Sequence, residues 1–190
     1  MTGFGSRIGE TAALLQSLAT PDIVRRVESA VDLLCRVVKE RKPLLVCGNG
    51  GSASDALHIS GELVGRFLIE RAPIDVICLN ANVSVLTAWS NDYDYASVFA
   101  RQVEAHGRAG GVLWGISTSG NSGNVVSAFE AARRLGMHTL ALTGAGGGRL
   151  AAQTDVLIDV PSRSTPRIQE MHLPIYHYIC EELEKRTSSV

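Results

Sequence analysis

PLLVCGNGGSASDALH, residues 43–58, carries the reading of the fold. Its first five residues, PLLVC, are an apolar run of strand length without alternation, as expected of a strand covered on both faces. GNGG breaks the run, and a helical pattern follows over 54–69. Strand, glycine turn and helix make the unit from which parallel α/β sheets are built. The succession recurs downstream. IDVICL (74–79), GVLWGI (111–116), HTLALT (138–143) and DVLIDV (155–160) predict four more strands. The loop STSGNS and a helix to about Leu135 follow the third strand, and the turn GAGGG follows the fourth. Two helices, roughly 5–18 and 21–40, precede the first strand, and a last one runs from about Pro166 to Lys185. Pro174 removes one backbone donor from that helix and is expected to kink it. The expected architecture is a single α/β domain over 1–190: a three-layer, doubly wound, five-stranded parallel sheet with extra N- and C-terminal helices. Those helices serve either subunit packing or coverage of the sheet.

Composition narrows the class of function. Of 190 residues, 45% are apolar and 19% charged, ordinary values for a chain that buries its own core without disulfides. The formal charge of −1 supplies no basic field, so nucleic acid is not an expected partner. No apolar run approaches the roughly 20 residues of a membrane span. The start, MTGFGSRIGETAALL, lacks the basic and long apolar regions of a signal peptide, so the expected location is cytoplasmic. Cys35, Cys47, Cys78 and Cys180 show no CxxC spacing; the expectation is four small buried thiols. Trp89 and Trp114 are read as packing residues.

Two loops have the chemistry of anion sites, each at the carboxyl end of a strand, where open α/β sheets hold ligands. Gly48-Asn49-Gly50-Gly51-Ser52 lets a backbone approach a ligand closely, with Ser52 or Ser54 available to cap the helix it launches. Ser117-Thr118-Ser119-Gly120-Asn121-Ser122 sets four hydroxyls beside a helix start, suited to phosphate oxygens or sugar hydroxyls. Neither is a nucleotide fingerprint. The first lacks the lysine of a P-loop and the third glycine of GxGxxG, and no acidic residue ends the second strand. The alternative is a pair of tight turns with capping serines.

His58 and Glu62 are four residues apart on the helix launched by the first loop, hence on one face. A carboxylate there is a plausible general base for a carbon-bound proton beside a carbonyl. The plain alternative is a surface His–Glu pair. The last helix adds Gln169, His172 and His177. Gln169 and His177 are about 12 Å apart along an ideal helix and about 80° apart around it, so a shared ligand requires long side chains or the bend at Pro174.

CGNGGSASDALH, GISTSGNS and RIQEMH together resemble the phosphoheptose isomerases of the sugar isomerase (SIS) domain superfamily. The resemblance runs over nearly the whole chain; AS at 53–54 falls where relatives vary. It implies a homotetramer with active sites at subunit interfaces and conversion of sedoheptulose 7-phosphate to D-glycero-D-manno-heptose 7-phosphate. It implies substrate contacts at Asn49, Gly50, Gly51, Ser52, Glu62, Asn91, Asp92, Ser117, Thr118, Ser119, Ser122 and Gln169. Zinc ligands fall on His58, Glu62, Gln169 and His177, and the acid–base pair on Glu62 and His177. Two rival readings stand beside it. Non-catalytic SIS proteins that bind the replication initiator would not need both the carboxylate and the histidine. Isomerases of other sugar phosphates share the superfamily loop.

Overall fold

The computed structural model describes residues 3–188; residues 1, 2, 189 and 190, the ends of the expected domain, lie outside the described ones. Two helices lead, α1 (Phe4–Ser17) and α2 (Pro21–Lys39). Then follow β1 (Leu44–Gly48), α3 (Gly51–Val64), β2 (Val76–Cys78), α4 (Val83–Asp92), α5 (Val98–His106) and β3 (Val112–Ser117). The chain continues through α6 (Gly123–Arg134), β4 (His138–Gly144), a short 3-10 helix (Gly148–Gln153), β5 (Val156–Val160) and α7 (Thr165–Thr187).

The five strands are all parallel, in the order β2-β1-β3-β4-β5. From β1 the chain crosses to β2 on one side, and from β3 to β4 on the other. Right-handed crossovers in opposite directions put their helices on opposite faces of the sheet. Accordingly α2, α3 and α7 pack with Leu44, Val46, Trp114, Ile116 and Leu142 on one face. On the other face α5 and α6 pack with Leu45, Cys47, Leu113 and Ala141. Neighbouring residues of one strand thus serve different cores, which is why the strands read as continuous apolar runs. Trp114 is fully buried and all four thiols are free and buried. Trp89 is half-buried, stacks on Tyr93 and gives its Nε1–H to Ser97 Oγ at 2.8 Å.

Several boundaries moved. The helix expected over 54–69 starts at Gly51 and ends at Val64, because residues 67–69 give their N–H groups to Glu184 instead of to the helix. No side chain caps α3: Gly50, at φ 56°, takes the cap position, and Ser52 is buried in the first turn, so the expected serine cap is wrong. Helices α4 and α5 occupy a stretch that the hydrophobic pattern left unassigned. α7 runs unbroken through Pro174. The terminal helices differ in burial. α2 and α7 cover the sheet, whereas α1 buries none of its residues and leaves Phe4, Ile8 and Leu15 exposed. Among the described residues, no helix is long and apolar enough to cross a membrane.

Candidate active site

The strand order 2-1-3 places the reversal of the sheet between β1 and β3, and open α/β sheets bind ligands in the crevice beyond that point. The two loops expected to bind an anion leave from these two strands. They are joined through a side chain that sequence reasoning missed. Asn124, buried in the first turn of α6, exchanges two hydrogen bonds with Asn49, Asn49 Nδ2 to Asn124 Oδ1 at 2.7 Å and the reverse at 2.9 Å. Tyr95 donates its hydroxyl to the same Asn49 Oδ1 at 2.8 Å. Asn49 is therefore held from two sides. Beyond β2, Asn80 continues the β1 ladder by pairing both ways with Gly48, at 3.1 and 2.9 Å.

Gly50, Gly51 and Ser119 are exposed at the rim of this crevice, Thr118 and Ser122 are half-buried, and Ser52 and Ser117 are buried. Ser117 Oγ and Ser122 Oγ are 2.9 Å apart. Buried Ser52 offers a ligand little access to its hydroxyl. Gln169, from the start of α7, lies directly over Gly51: a Cβ on Gly51 would sit 2.4 Å from Gln169 Nε2. Glycine at position 51 thus leaves room for the Gln169 amide, which a Cβ would displace.

His58 and Glu62 project from α3 and His177 from α7, two helices on the same face of the sheet. Their donor atoms all lie within 4.8 Å of one another. His58 Nε2 is 2.8 Å from Glu62 Oε1. The His177 ring meets His58 edge-on at 5.1 Å between centroids and leans on Phe67 at 5.3 Å. Its Nε2 is buried and has no hydrogen-bond partner among the described residues. Burial, and then the neighbouring His58, pull the His177 pKa below its usual value, partly opposed by Glu62. His177 is thus neutral near pH 7, the form that accepts a proton or binds a metal. Two imidazoles and a carboxylate with one nitrogen left unsatisfied are a donor set that fits a divalent metal such as zinc.

Behind His58 stands a second pair that the sequence did not reveal. Tyr176 Oη is 3.0 Å from His58 Nδ1 and donates toward Asp55 Oδ1 at 3.5 Å. Desolvation raises the Asp55 pKa, and burial together with Asp55 raises that of Tyr176. Asp55 stands one turn before His58 on α3, so its spacing was a usable signal; nothing in the sequence pointed to Tyr176.

Two expectations separate from this cluster. The side chains of Asn91 and Asp92 bond to each other at 3.0 Å and to neither loop. Asp92 lines a cavity of about 690 Å³ between β2, α4 and α5, which His58, Glu62 and His177 do not line. His172 is a packing residue, fully buried, with Nε2 3.2 Å from the Thr143 carbonyl. Burial lowers its pKa to about 4. The folded protein resists a proton that the unfolded chain takes up below about 6.5, so stability is lost as the pH falls from about 6.5 toward 4. The expected loss from this residue is about 3 kcal/mol. The urea-midpoint advantage of the natural chain over His172→Gln should therefore narrow between pH 7 and 4.5; an unchanged gap would show that burial does not hold His172 neutral.

The SIS domain family model matches residues 9–144. The phosphoheptose isomerase of Crocosphaera subtropica is 48% identical over 170 residues, covering 90% of this chain and 87% of the relative. The chain belongs to the phosphoheptose isomerase family of SIS-domain proteins. The corresponding protein of Synechocystis is 49% identical over 84% of the chain. The solved phosphoheptose isomerase of Neisseria gonorrhoeae superposes with a TM-score of 0.90 at 40% identity, over 95% of this chain and 96% of that one. The one from Francisella tularensis gives 0.90 at 33% identity, with the same coverage. The family's doubly wound five-stranded sheet, with its flanking terminal helices, is the fold described above.

Proposed function

We propose that this chain is an aldose–ketose isomerase that converts sedoheptulose 7-phosphate to D-glycero-D-manno-heptose 7-phosphate. The observation that carries the reading is the Glu62–His58–His177 cluster on the same sheet face as Gln169, which bridges to the phosphate-type loop at Gly51. An aldose–ketose interconversion needs an anchor for the phosphate and a base beside the carbonyl carbon, and no redox cofactor.

Asn49, Gly50, Gly51 and Ser52 on one side and Ser117, Thr118, Ser119 and Ser122 on the other hold the phosphate and sugar hydroxyls. The positive ends of α3 and α6 favour the anion. Gln169 orients the chain of the sugar. Glu62 takes a proton from C1 of the open-chain ketose, giving a cis-enediol(ate), and returns a proton to C2. His177, held neutral by burial, relays the proton between the two oxygens. His58, Glu62, Gln169 and His177 would hold a zinc ion, which when bound acts as a Lewis acid on the sugar oxygens.

The quaternary arrangement belongs to the same reading: a cytoplasmic homotetramer with interfacial sites. The exposed apolar residues of α1 and an apolar groove of about 390 Å³ between α1, α2 and α7 support it. So does the position of Asn91 and Asp92, which we assign to the site of a neighbouring subunit. The alternatives, a non-catalytic protein or an isomerase of another sugar phosphate, have no observation in their favour.

The test is direct. Incubation of the purified protein with sedoheptulose 7-phosphate in D₂O should yield the aldose, carrying solvent deuterium at C2, by NMR. Chelator should slow the conversion and added zinc restore it. Absence of any aldose with zinc present would overturn the reading.

A further inference from the structure

Arg71 and Glu184 form a buried ion pair outside the phosphate loops and the metal-binding cluster. Their side chains are 2% and 0% exposed, and Arg71 Nε lies 3.0 Å from Glu184 Oε1. Two charges taken out of water cost several kcal/mol each unless they are paired and hydrogen-bonded. Besides each other, their partners are backbone groups at the exit of α3; Arg71 Nε, close to Glu184, makes no hydrogen bond among the described residues. Arg71 Nη2 donates to the carbonyl of Glu62 at 2.8 Å, and Nη1 to those of Leu63 and Ala72, both at 3.0 Å. These include last-turn carbonyls that a helix end leaves unpaired. Glu184 accepts the N–H groups of Phe67 at 2.9 Å, Leu68 at 2.6 Å and Ile69 at 2.8 Å. Desolvation pushes the Glu184 carboxyl up, but the three N–H groups and Arg71 outweigh it and hold it below its usual range.

The connection to chemistry is geometric. Glu184 stands seven residues after His177, two turns along the same face of α7. The residue that opens the captured segment, Phe67, is the one whose ring leans on His177. The pair thus grips the backbone of Glu62 with one hand and the wall of His177 with the other. We propose that Arg71 and Glu184 are positioning residues that set the separation of Glu62 from His177. The inference rests on the isomerase reading for its activity test, not for its geometry.

Glu184→Gln keeps the shape but turns an amide toward backbone N–H groups. Arg71→Lys keeps the charge but loses the fork to two carbonyls. Each variant should lower kcat on sedoheptulose 7-phosphate about tenfold and weaken zinc binding about tenfold, read by competition with a chromophoric chelator. KM should stay within about twofold, because the phosphate loops are untouched. Far-UV circular dichroism should be unchanged. In zinc-free protein the ring resonances of His177 should shift in both variants while those of His138 do not. Phe67→Leu alters a half-exposed side chain and leaves the ion pair in place, so it folds whether or not the pair can be changed; it too should shift the His177 ring and lower kcat alone. Folded variants with kcat within about twofold of wild type, or with kcat and KM changing in parallel, overturn the proposal. If both pair variants fail to fold, wild-type kcat and an unshifted His177 ring in Phe67→Leu overturn it. A wild-type protein inactive on the sugar sinks the isomerase reading, while the His177 resonances still decide this one.

Discussion

Glu62→Gln should lower kcat about 1,000-fold while KM rises less than about threefold. The substitution preserves volume and one acceptor oxygen, so the contact that Glu62 Oε1 makes with His58 Nε2 at 2.8 Å has a neutral replacement. What it removes is the proton acceptor, and a positioned general base contributes roughly a hundred- to ten-thousand-fold. The phosphate loops lie on β1 and β3, away from the change, so ground-state binding should survive. Single-turnover kinetics with zinc saturating separates loss of the base from loss of a ligand. A variant that turns over at near wild-type rate would remove Glu62 from the chemistry.

Gly120→Ala is the change expected to cost most in stability. Gly120 sits in the serine loop at φ 64°, and a Cβ there would lie 2.0 Å from the Gly147 carbonyl oxygen and 2.4 Å from its carbon. Those atoms are backbone, fixed by the bonds that tie the serine loop to the glycine turn after β4. Leu150 N–H reaches Gly120 O at 3.0 Å, Gly144 N–H reaches Thr118 O at 2.9 Å, and Arg149 N–H reaches Asn121 Oδ1 at 3.0 Å. Neither loop can retreat without breaking them. The expected loss is about 3 kcal/mol, or about 6–12 °C in Tm for a chain of this size. Gly146→Ala is the control: its φ of 83° is equally strained, but a Cβ would meet nothing within 4 Å. That variant should lose only about 1 kcal/mol. Equal losses in thermal melts would show that the clash with Gly147 does not matter. The displaced loop should also raise KM for the sugar phosphate, since Ser117 to Ser122 are its anchor in the proposed function.

The residues that could be read in advance share a property: their meaning is local. PLLVC is a strand because it is short, apolar and followed by glycines, and His58 and Glu62 share a face because four residues make about one helical turn. The helices α4 and α5 were missed because they are short and the segment carries no clean period. The end of α3 was missed because Glu184, more than a hundred residues away, captures the N–H groups that would have continued it. Asn124 and Tyr176 were missed for the same reason, since each acts through a side chain on a distant element. The expected cap at Ser52 failed because glycine at positive φ already turns the chain into the helix.

Local sequence signals specified the five strands, the helices other than α4 and α5, the class of the sheet and the two loops that suit an anion. Periodicity, glycine and helix spacing act over a few residues, and the resemblance of three motifs supplied the rest. Strand order was decided only in three dimensions, because it depends on which neighbours a crossover can reach, and the β1–β3 reversal is what brings the two loops to one crevice. So was the meeting of His177 with His58 and Glu62. It requires α7 to return to the face that α3 occupies, a consequence of packing two helices on one side of a twisted sheet.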